Sequence, residues 1–565
     1  MRRILQGHNV QRRAVRLVTL LFFCFMPVAP LYPAVPADRG YLDILKNIDL
    51  LGEVYGNLSR SYVDSLDVSS LMSAGIDGML HTLDPYTVFL DKADSEELDE
   101  LTSGQYAGIG VTIASVAGKV YIASVVDGYA AAAAGLRVGD RLASINRTGL
   151  HDKSLDDVKA LLKGPSGEEL TLTVEREGSK PLTVKLSRAE VRVNTVSYSG
   201  ITGDIGYLEM KSFGARSPEE LREALQALFR QARERKVVLK GVILDLRNNP
   251  GGLLTAAVEV TSLFVPKGSL VVSIRGRQPE ASKSWLTETQ PLDASMPLAV
   301  LINPQSASAS EIVSGAIQDL DRGVVLGERS YGKGLVQSVL PLSYDNTLKL
   351  TTAKYYTPSG RLIQKESLPV KDARKVLLKG PAESSAKVFH TKGRRKVYGG
   401  GGITPDITLA EQPSSPYLNA LRKSGMLFLY AARYRSEHPV LPQFPLEEKA
   451  LMASFNAFLK ERSYVYLSEP ERRLNALKES LKGVAGGQDE RRVKLLGDLQ
   501  EEAGRLRDLE TLRDSEQVKS ALEVEILRHY SEKLARKEEV DQDPLVKKAV
   551  AILSDQKRFS RILHP

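Results

Sequence analysis

The chain has 565 residues, 42% of them hydrophobic and 26% charged, a globular composition on a length sufficient for about three to five domains. A net charge of +8 is modest for that length and makes no case for a nucleic-acid partner. The single cysteine, Cys24, excludes an internal disulfide and any Cys-rich zinc site.

The first 37 residues read as an export segment. Arg2, Arg3, Arg12, Arg13 and Arg16 form a basic start, and Leu17 to Ala29 is an uncharged, mostly apolar run. Small residues in Val35-Pro36-Ala37 then offer a cleavage point before Asp38. The run is short for a membrane span, so two readings stand: a cleaved signal peptide or an uncut signal anchor. Either predicts a protein that is exported, periplasmic or membrane-anchored, facing outside the cytoplasm. Phe22-Phe23 before Cys24 argues against a lipidated cysteine.

Residues 38–103 read as a helical region, with apolar residues at helical spacing in Ile44, Leu45, Ile48, Leu51 and Tyr55 and a second helix over 69–83. Residues 104–190 change character. Short strands are predicted at 111–113, 120–125, 141–145, 170–174 and 182–186, with one helix from Ser154 to Leu162. The entry Gly104-Gln105-Tyr106-Ala107-Gly108-Ile109-Gly110-Val111 is glycine-rich, so backbone N–H groups can converge on an anion such as a chain terminus. An extended peptide can then add as a strand beside Val111–Ile113. With Ala134-Gly135-Leu136-Arg137-Val138-Gly139-Asp140 downstream, this stretch resembles a PDZ domain. The resemblance implies substrate binding at Tyr106, Gly108, Ile109, Gly110 and Val111.

From 191 to 410 strands and helices alternate. Gly241–Leu246 and Pro297–Ile302 read as buried strands, each followed by a small-residue turn and a helix, the mark of βαβ units. The predicted class is α/β. The second turn, Asn303-Pro304-Gln305-Ser306-Ala307-Ser308-Ala309-Ser310-Glu311, opens a helix running to about Leu320. A serine at such a junction can attack a carbonyl while helix N-terminal N–H groups hold the oxyanion. The plainer reading is that Ser306, Ser308 and Ser310 only cap the helix.

A nucleophilic serine needs a base. The seven histidines sit in no recognisable triad context, and there is no Gly-x-Ser-x-Gly elbow. The candidate base is Lys333, between Gly332 and Gly334; it serves only if desolvation makes it neutral. Gln337, four residues on, can orient an amine without adding charge. Two other patterns overlap this segment. Gly327-x4-Gly332-Lys333 imitates a phosphate-binding loop but continues into Gly334 and a β-like run, and Ser330-x-x-Lys333 lacks the helical turn that its own chemistry requires.

Six segments in order resemble the carboxyl-terminal processing, or tail-specific, proteases of peptidase family S41: Leu83–Tyr86, Asp245–Gly252, Ser306–Glu311, Gly332–Gly334 with Gln337, Tyr355–Gly360 and Gly402–Asp406. The resemblance spans about 41–410. It implies a ClpP/crotonase-like core with an inserted β-rich PDZ domain and helical N- and C-terminal regions. It further implies Ser308 as nucleophile, Lys333 as base, Gln337 in support, and an oxyanion hole from Ala309 with Gly251 or Gly252. No metal and no cofactor are required. The expected partners are proteins with apolar C-terminal tails. Further expected associations are a membrane tether through the N-terminus, a homo-oligomer of two copies or more, and an adaptor protein. A catalytically inactive PDZ scaffold is the rival from another class, and an amidase or esterase using the same dyad is a second.

Residues 365–399 read as an insertion. Nine Lys or Arg against two acids between Lys371 and Lys396 suggest a solvated, mobile loop, or else a patch that meets an anionic membrane or an acidic partner. Residues 411–565 read as a helical region with a hinge at Gly483–Gly487 and no chemistry. Leu451, Phe455, Phe458 and Leu459 share one helix face there, and Leu495, Leu499, Leu506 and Leu509 share another less regularly.

Overall fold

The structure, a computed structural model, describes residues 39–277, 280, 282–365, 387–410, 413–482 and 490–564. The export segment 1–37, the stretch 366–386 and the hinge Gly483–Gly487 lie outside the described residues. Among the described residues no helix is long and apolar enough to cross a membrane. The chain divides into two units, one ending at His81 and one from Thr82 onward.

In the first unit two helices, Arg39–Ser61 and Val68–Leu80, match the helical periodicity of the sequence. The Asp67 carboxylate caps the second by accepting from the Ser69 N–H. The Tyr55 hydroxyl donates to the Val68 carbonyl at 2.8 Å and ties the two together.

The second unit is built on a six-stranded sheet ordered Val196–Thr202, Ile205–Met210, Gly241–Asp245, Leu298–Ile302, Val324–Gly327 and Ile407–Thr408, parallel apart from its first strand. Its central strands are apolar throughout because both faces are covered. Side chains alternate between two cores. Val242, Leu244, Leu298 and Val300 pack with the helices Ser217–Glu234, Leu254–Ser262 and Ala309–Asp319. Ile243, Ala299, Leu301, Val324 and Leu326 pack against Val546, Ala549, Ile552 and Leu553. Those last four belong to the helix Pro544–Leu553, which the sequence placed in a separate C-terminal region. The end of the chain therefore completes the core of the α/β domain. Arg247 reinforces this by pairing with Asp245 on the sheet and, at 2.7 Å, with Asp543 at the helix start.

Beside this layer lies a five-stranded antiparallel sheet of Val88–Leu90, Leu270–Gly276, Lys283–Leu286, Leu335–Pro341 and Thr347–Tyr356. The turn predicted at 357–360 is present, with the Gly360 N–H donating to the Thr357 carbonyl at 2.8 Å.

The 104–190 stretch forms its own core around Ile122, Ile145, Val158, Leu172 and Val174. Its strands follow the order Val111–Val116, Lys119–Val125, Arg141–Ile145, Glu169–Glu175, Leu182–Ser187. Ser154 and Asp157 form a capping box at the start of the helix Leu155–Leu162. Entry and exit are paired: Gln105–Gly108 runs antiparallel to Ala189–Arg192 as a two-stranded neck. The domain also touches the C-terminal helices. Tyr121 meets Phe428 edge-on at 5.7 Å, and the Glu177 carbonyl accepts from Ser436 at 2.7 Å.

One expectation is corrected. The described end of the basic segment, 387–399, is a hairpin of Val388–His390 and Lys396–Tyr398 fastened to the domain, not a solvated loop. Arg395 is buried between Asp321 and Asp406, and the Lys392 N–H donates to the Asp319 carbonyl at 2.7 Å. In the C-terminal region, Leu451, Phe455, Phe458 and Leu459 are core as their spacing implies. Leu495, Leu499, Leu506 and Leu509, on the helix Glu490–Arg513, are all exposed.

Candidate active site

Two turns at the C-terminal ends of neighbouring parallel strands meet here, Asn248–Gly252 and Asn303–Ser308, and they are laced together. The Asn248 N–H donates to Asn303 Oδ1 at 2.9 Å, and the Ala307 N–H donates to the Asn249 carbonyl at 3.0 Å. The three serines then separate by role. The Ser306 hydroxyl donates to the Leu246 carbonyl at 2.8 Å, and that of Ser310 to the Asn249 carbonyl at 2.9 Å; both residues are fully buried. These two are fasteners. The Ser308 hydroxyl is drawn to no backbone carbonyl, and the residue sits partly exposed at the junction with φ 55° and ψ −112°. A non-glycine residue at positive φ costs roughly 1–3 kcal/mol, a strain seen where the surroundings over-determine a functional position.

The expected oxyanion donors lie beside it. Ala309 opens the helix, so its N–H lacks an intrahelical partner. Gly251 and Gly252 adopt φ 101° and 146°. A Cβ on Gly251 would stand 2.8 Å from Ser308 Cβ and 2.9 Å from the Ala309 nitrogen, so glycine is what leaves the space there empty. The two glycines are not equivalent. The Gly251 N–H is spent on Asn249 Oδ1 at 2.9 Å. The Gly252 N–H makes no hydrogen bond among the described residues.

Lys333 reaches the site from the second sheet, two residues before the strand Leu335–Pro341. Gly334 packs so tightly on Gln364 that a Cβ would lie 2.7 Å from its nitrogen, so the backbone approach expected from the flanking glycines is present. The Lys333 ammonium lies 4.7 Å from the Tyr86 ring centroid. Burial, aided by the nearby charge of Lys349, lowers its pKa to about 8, although Glu311 and Asp84 pull the other way. Ser330 is buried and spends its hydroxyl on Glu311 at 2.6 Å, in an extended rather than helical segment.

Gln337 is expected from the sequence to orient the lysine amine. The hydrogen bond it makes goes instead to Thr351 Oγ1, at 3.3 Å, and Thr351 in turn donates to Asp84 Oδ1 at 3.2 Å. The cause is register: Gln337 and Thr351 are direct cross-strand partners, so their side chains share a face.

Three further residues shape the site. Glu311 is fully buried and its carboxylate accepts from the Ser308, Gly332 and Lys333 N–H groups and from Ser330. Burial raises its pKa to about 7 despite those four donors. The Tyr355 hydroxyl, on another side, reaches the carbonyls of both Ser308 and Lys333. Asp84 accepts from the Tyr86 and Thr87 N–H groups and so sets the turn that carries Tyr86. Glu311 had a readable signal in its capping-box spacing, three residues after Ser308, while Asp84 and Tyr355 lie inside the family segments Leu83–Tyr86 and Tyr355–Gly360 with no role legible for them there. No cluster of His, Cys, Asp or Glu that would hold a metal occurs among the described residues.

At the inserted domain, Val111–Val116 is an edge strand, paired on one side only, with Lys119–Val125. Ile109 and Gly110 use their carbonyls for Ala131 and Val126, while their N–H groups make no hydrogen bond among the described residues. The Ile109 side chain is in the domain core. Tyr106 belongs to the neck, its ring packed on Gly108.

The sequence pattern of peptidase family S41 matches residues 204–371, that of a PDZ domain matches 121–176, and that of a probable PDZ-protease C-terminal helical domain matches 417–553. A carboxy-terminal-processing protease of Bartonella bacilliformis is 37% identical over 320 residues, covering 56% of this chain and 73% of the relative. A probable CtpA-like serine protease of Staphylococcus aureus is 34% identical over 322 residues, covering 56% of this chain and 62% of its own length. Among solved structures, a photosystem II D1 C-terminal processing protease is 26% identical with a TM-score of 0.34, over 68% of this chain and 97% of its own. The chain belongs to peptidase family S41, among the carboxy-terminal-processing proteases.

Proposed function

We propose that this chain is an exported serine endopeptidase that cleaves proteins near their C-termini with a Ser308–Lys333 dyad while its PDZ domain holds the substrate tail. The observation that carries the reading is the division of labour among the serines. Ser306 and Ser310 are spent on backbone carbonyls, while Ser308 stands strained at the junction with a lysine of lowered pKa in the same site.

Ser308 Oγ attacks the scissile carbonyl carbon and its proton passes to the neutral Lys333 amine. The Ala309 and Gly252 N–H groups receive the oxyanion. Collapse breaks the C–N bond, and the Lys333 ammonium protonates the leaving amine. A water, deprotonated by Lys333, then clears the acyl-enzyme. The apolar tail adds along the open edge of Val111–Val116, its carboxylate toward the Ile109 and Gly110 N–H groups. Export through residues 1–37, a tether there, assembly with further copies and an adaptor belong to the same proposal.

The test is cleavage by the full chain of an unstructured reporter ending in apolar residues, beside a tail-amidated reporter. Ser308→Ala and Lys333→Ala should each lower turnover by about four orders of magnitude or more, and amidation should weaken cleavage by wild type. Binding of the tail without turnover by wild type would instead support the scaffold reading.

A further inference from the structure

Glu311 does more than begin a helix. Its Oε2 accepts from the Ser308 N–H at 2.8 Å and from the Lys333 N–H at 2.9 Å, so one oxygen atom joins the two main chains. Its Oε1 accepts from Ser330 Oγ at 2.6 Å and the Gly332 N–H at 2.7 Å, which holds the lysine loop from a second direction. Ser308 and Lys333 come from different layers: one begins the helix Ala309–Asp319 over the parallel sheet, the other leads into a strand of the antiparallel sheet. Helix capping alone would use only the Ser308 contact; three of the four donors lie on the other segment.

We propose that Glu311 is the positioning residue of the dyad, its buried carboxylate being the shared anchor that sets nucleophile and base relative to each other. This rests on the reading of Ser308 and Lys333 as nucleophile and base. Charged donors and acceptors make the stronger hydrogen bonds, and an anion satisfies four donors where a neutral side chain of the same size does not. A misplacement of about 1 Å at a reacting pair costs on the order of 10²-fold in rate. The titratable groups that feel this carboxylate are Lys333, Tyr86 and Tyr355. Its charge favours the protonated form of Lys333, so its removal makes that amine easier to deprotonate.

The experiment compares wild type, Glu311→Gln and Glu311→Asp in the full chain. It reads kcat and KM on the tail reporter, the pH profile of kcat/KM, and folding by circular dichroism. Glu311→Gln should lower kcat by about 100-fold with KM within about twofold, and should move the acid limb of the profile to lower pH. Should Glu311→Gln not fold, Glu311→Asp carries the test. It keeps the charge but withdraws it by one methylene, so kcat should fall with the acid limb in place. A folded Glu311→Gln or Glu311→Asp with wild-type kcat, or an acid limb unmoved in Glu311→Gln, overturns the proposal. Activity surviving in Ser308→Ala or Lys333→Ala would defeat the dyad itself, a result separate from any loss at Glu311.

Discussion

At the scale of single residues, the chemistry turns on which side chains are already spent. Ser306, Ser310 and Ser330 each give their hydroxyl to a structural acceptor, and Ser308 does not. As the proposed base Lys333 must be neutral, and burial brings its pKa to about 8. The protonated form therefore dominates below that value, and kcat/KM should climb about tenfold per pH unit from about 7 to about 8 and then level, and more steeply below about 7, where Glu311 also takes up its proton. A flat profile from pH 6 to 10 would refute a lysine base. Lys349 contributes to the lowering, so Lys349→Met should move the acid limb upward, a shift measurable in the same profile. The same depressed pKa means that the unfolded chain binds more protons than the folded one between about 8 and the ordinary lysine value. This group's contribution to stability thus rises with pH across that window. The sequence singles out Ser308 and Lys333 as candidates through motif order but could not assign Gln337 its partner. That depends on which residue stands across the strand, and Thr351 does.

At the scale of elements, the site is a junction of two turns and a loop, each shaped by close backbone approach. Gly251→Ala would set a Cβ 2.8 Å from Ser308 Cβ and 2.7 Å from the Ala307 carbonyl, at a φ of 101° that alanine resists. The expected result is a kcat loss of about 10²- to 10³-fold, with a lowered melting temperature read by calorimetry. Wild-type turnover in this variant would show that the space beside Ala309 is not the oxyanion hole. The strand and helix positions were legible because their periodicities differ. Gly241–Asp245 and Leu298–Ile302 are continuous apolar runs, and Leu155–Leu162 carries its own capping box. The acidic helix Lys92–Ser103 falls in the stretch read as helical, but its own bounds were not legible, since it buries little and so shows no apolar stripe.

At the scale of the whole molecule, the sequence drew a boundary at 410 that the fold does not respect. The helices Pro544–Leu553 and Gln556–Leu563 cover Ile243, Ala299, Leu301 and Val324 on the central sheet. Deleting residues from Pro544 onward should expose that apolar face and leave the chain insoluble or aggregated, as sedimentation of the lysate would show. A soluble, active truncated chain would mean that the second face needs no cover. The inserted domain is closed at its base, because its entry and exit strands pair with each other as a neck.

The sequence by itself determined the family, the α/β class and the inserted domain, and it singled out Ser308 and Lys333 as candidates, because these live in local patterns: motif order, strand and helix periods, and glycines beside reactive positions. Tertiary structure alone decided which serines are fasteners, that Gly252 rather than Gly251 keeps its N–H unspent, and that Glu311 and Tyr355 each bind the main chains at both Ser308 and Lys333. It also decided that the last helices belong to the protease core. Each of these depends on hydrogen bonds or packing between residues far apart in the chain, and no spacing along the sequence records which distant partner a buried polar group or an apolar face will meet.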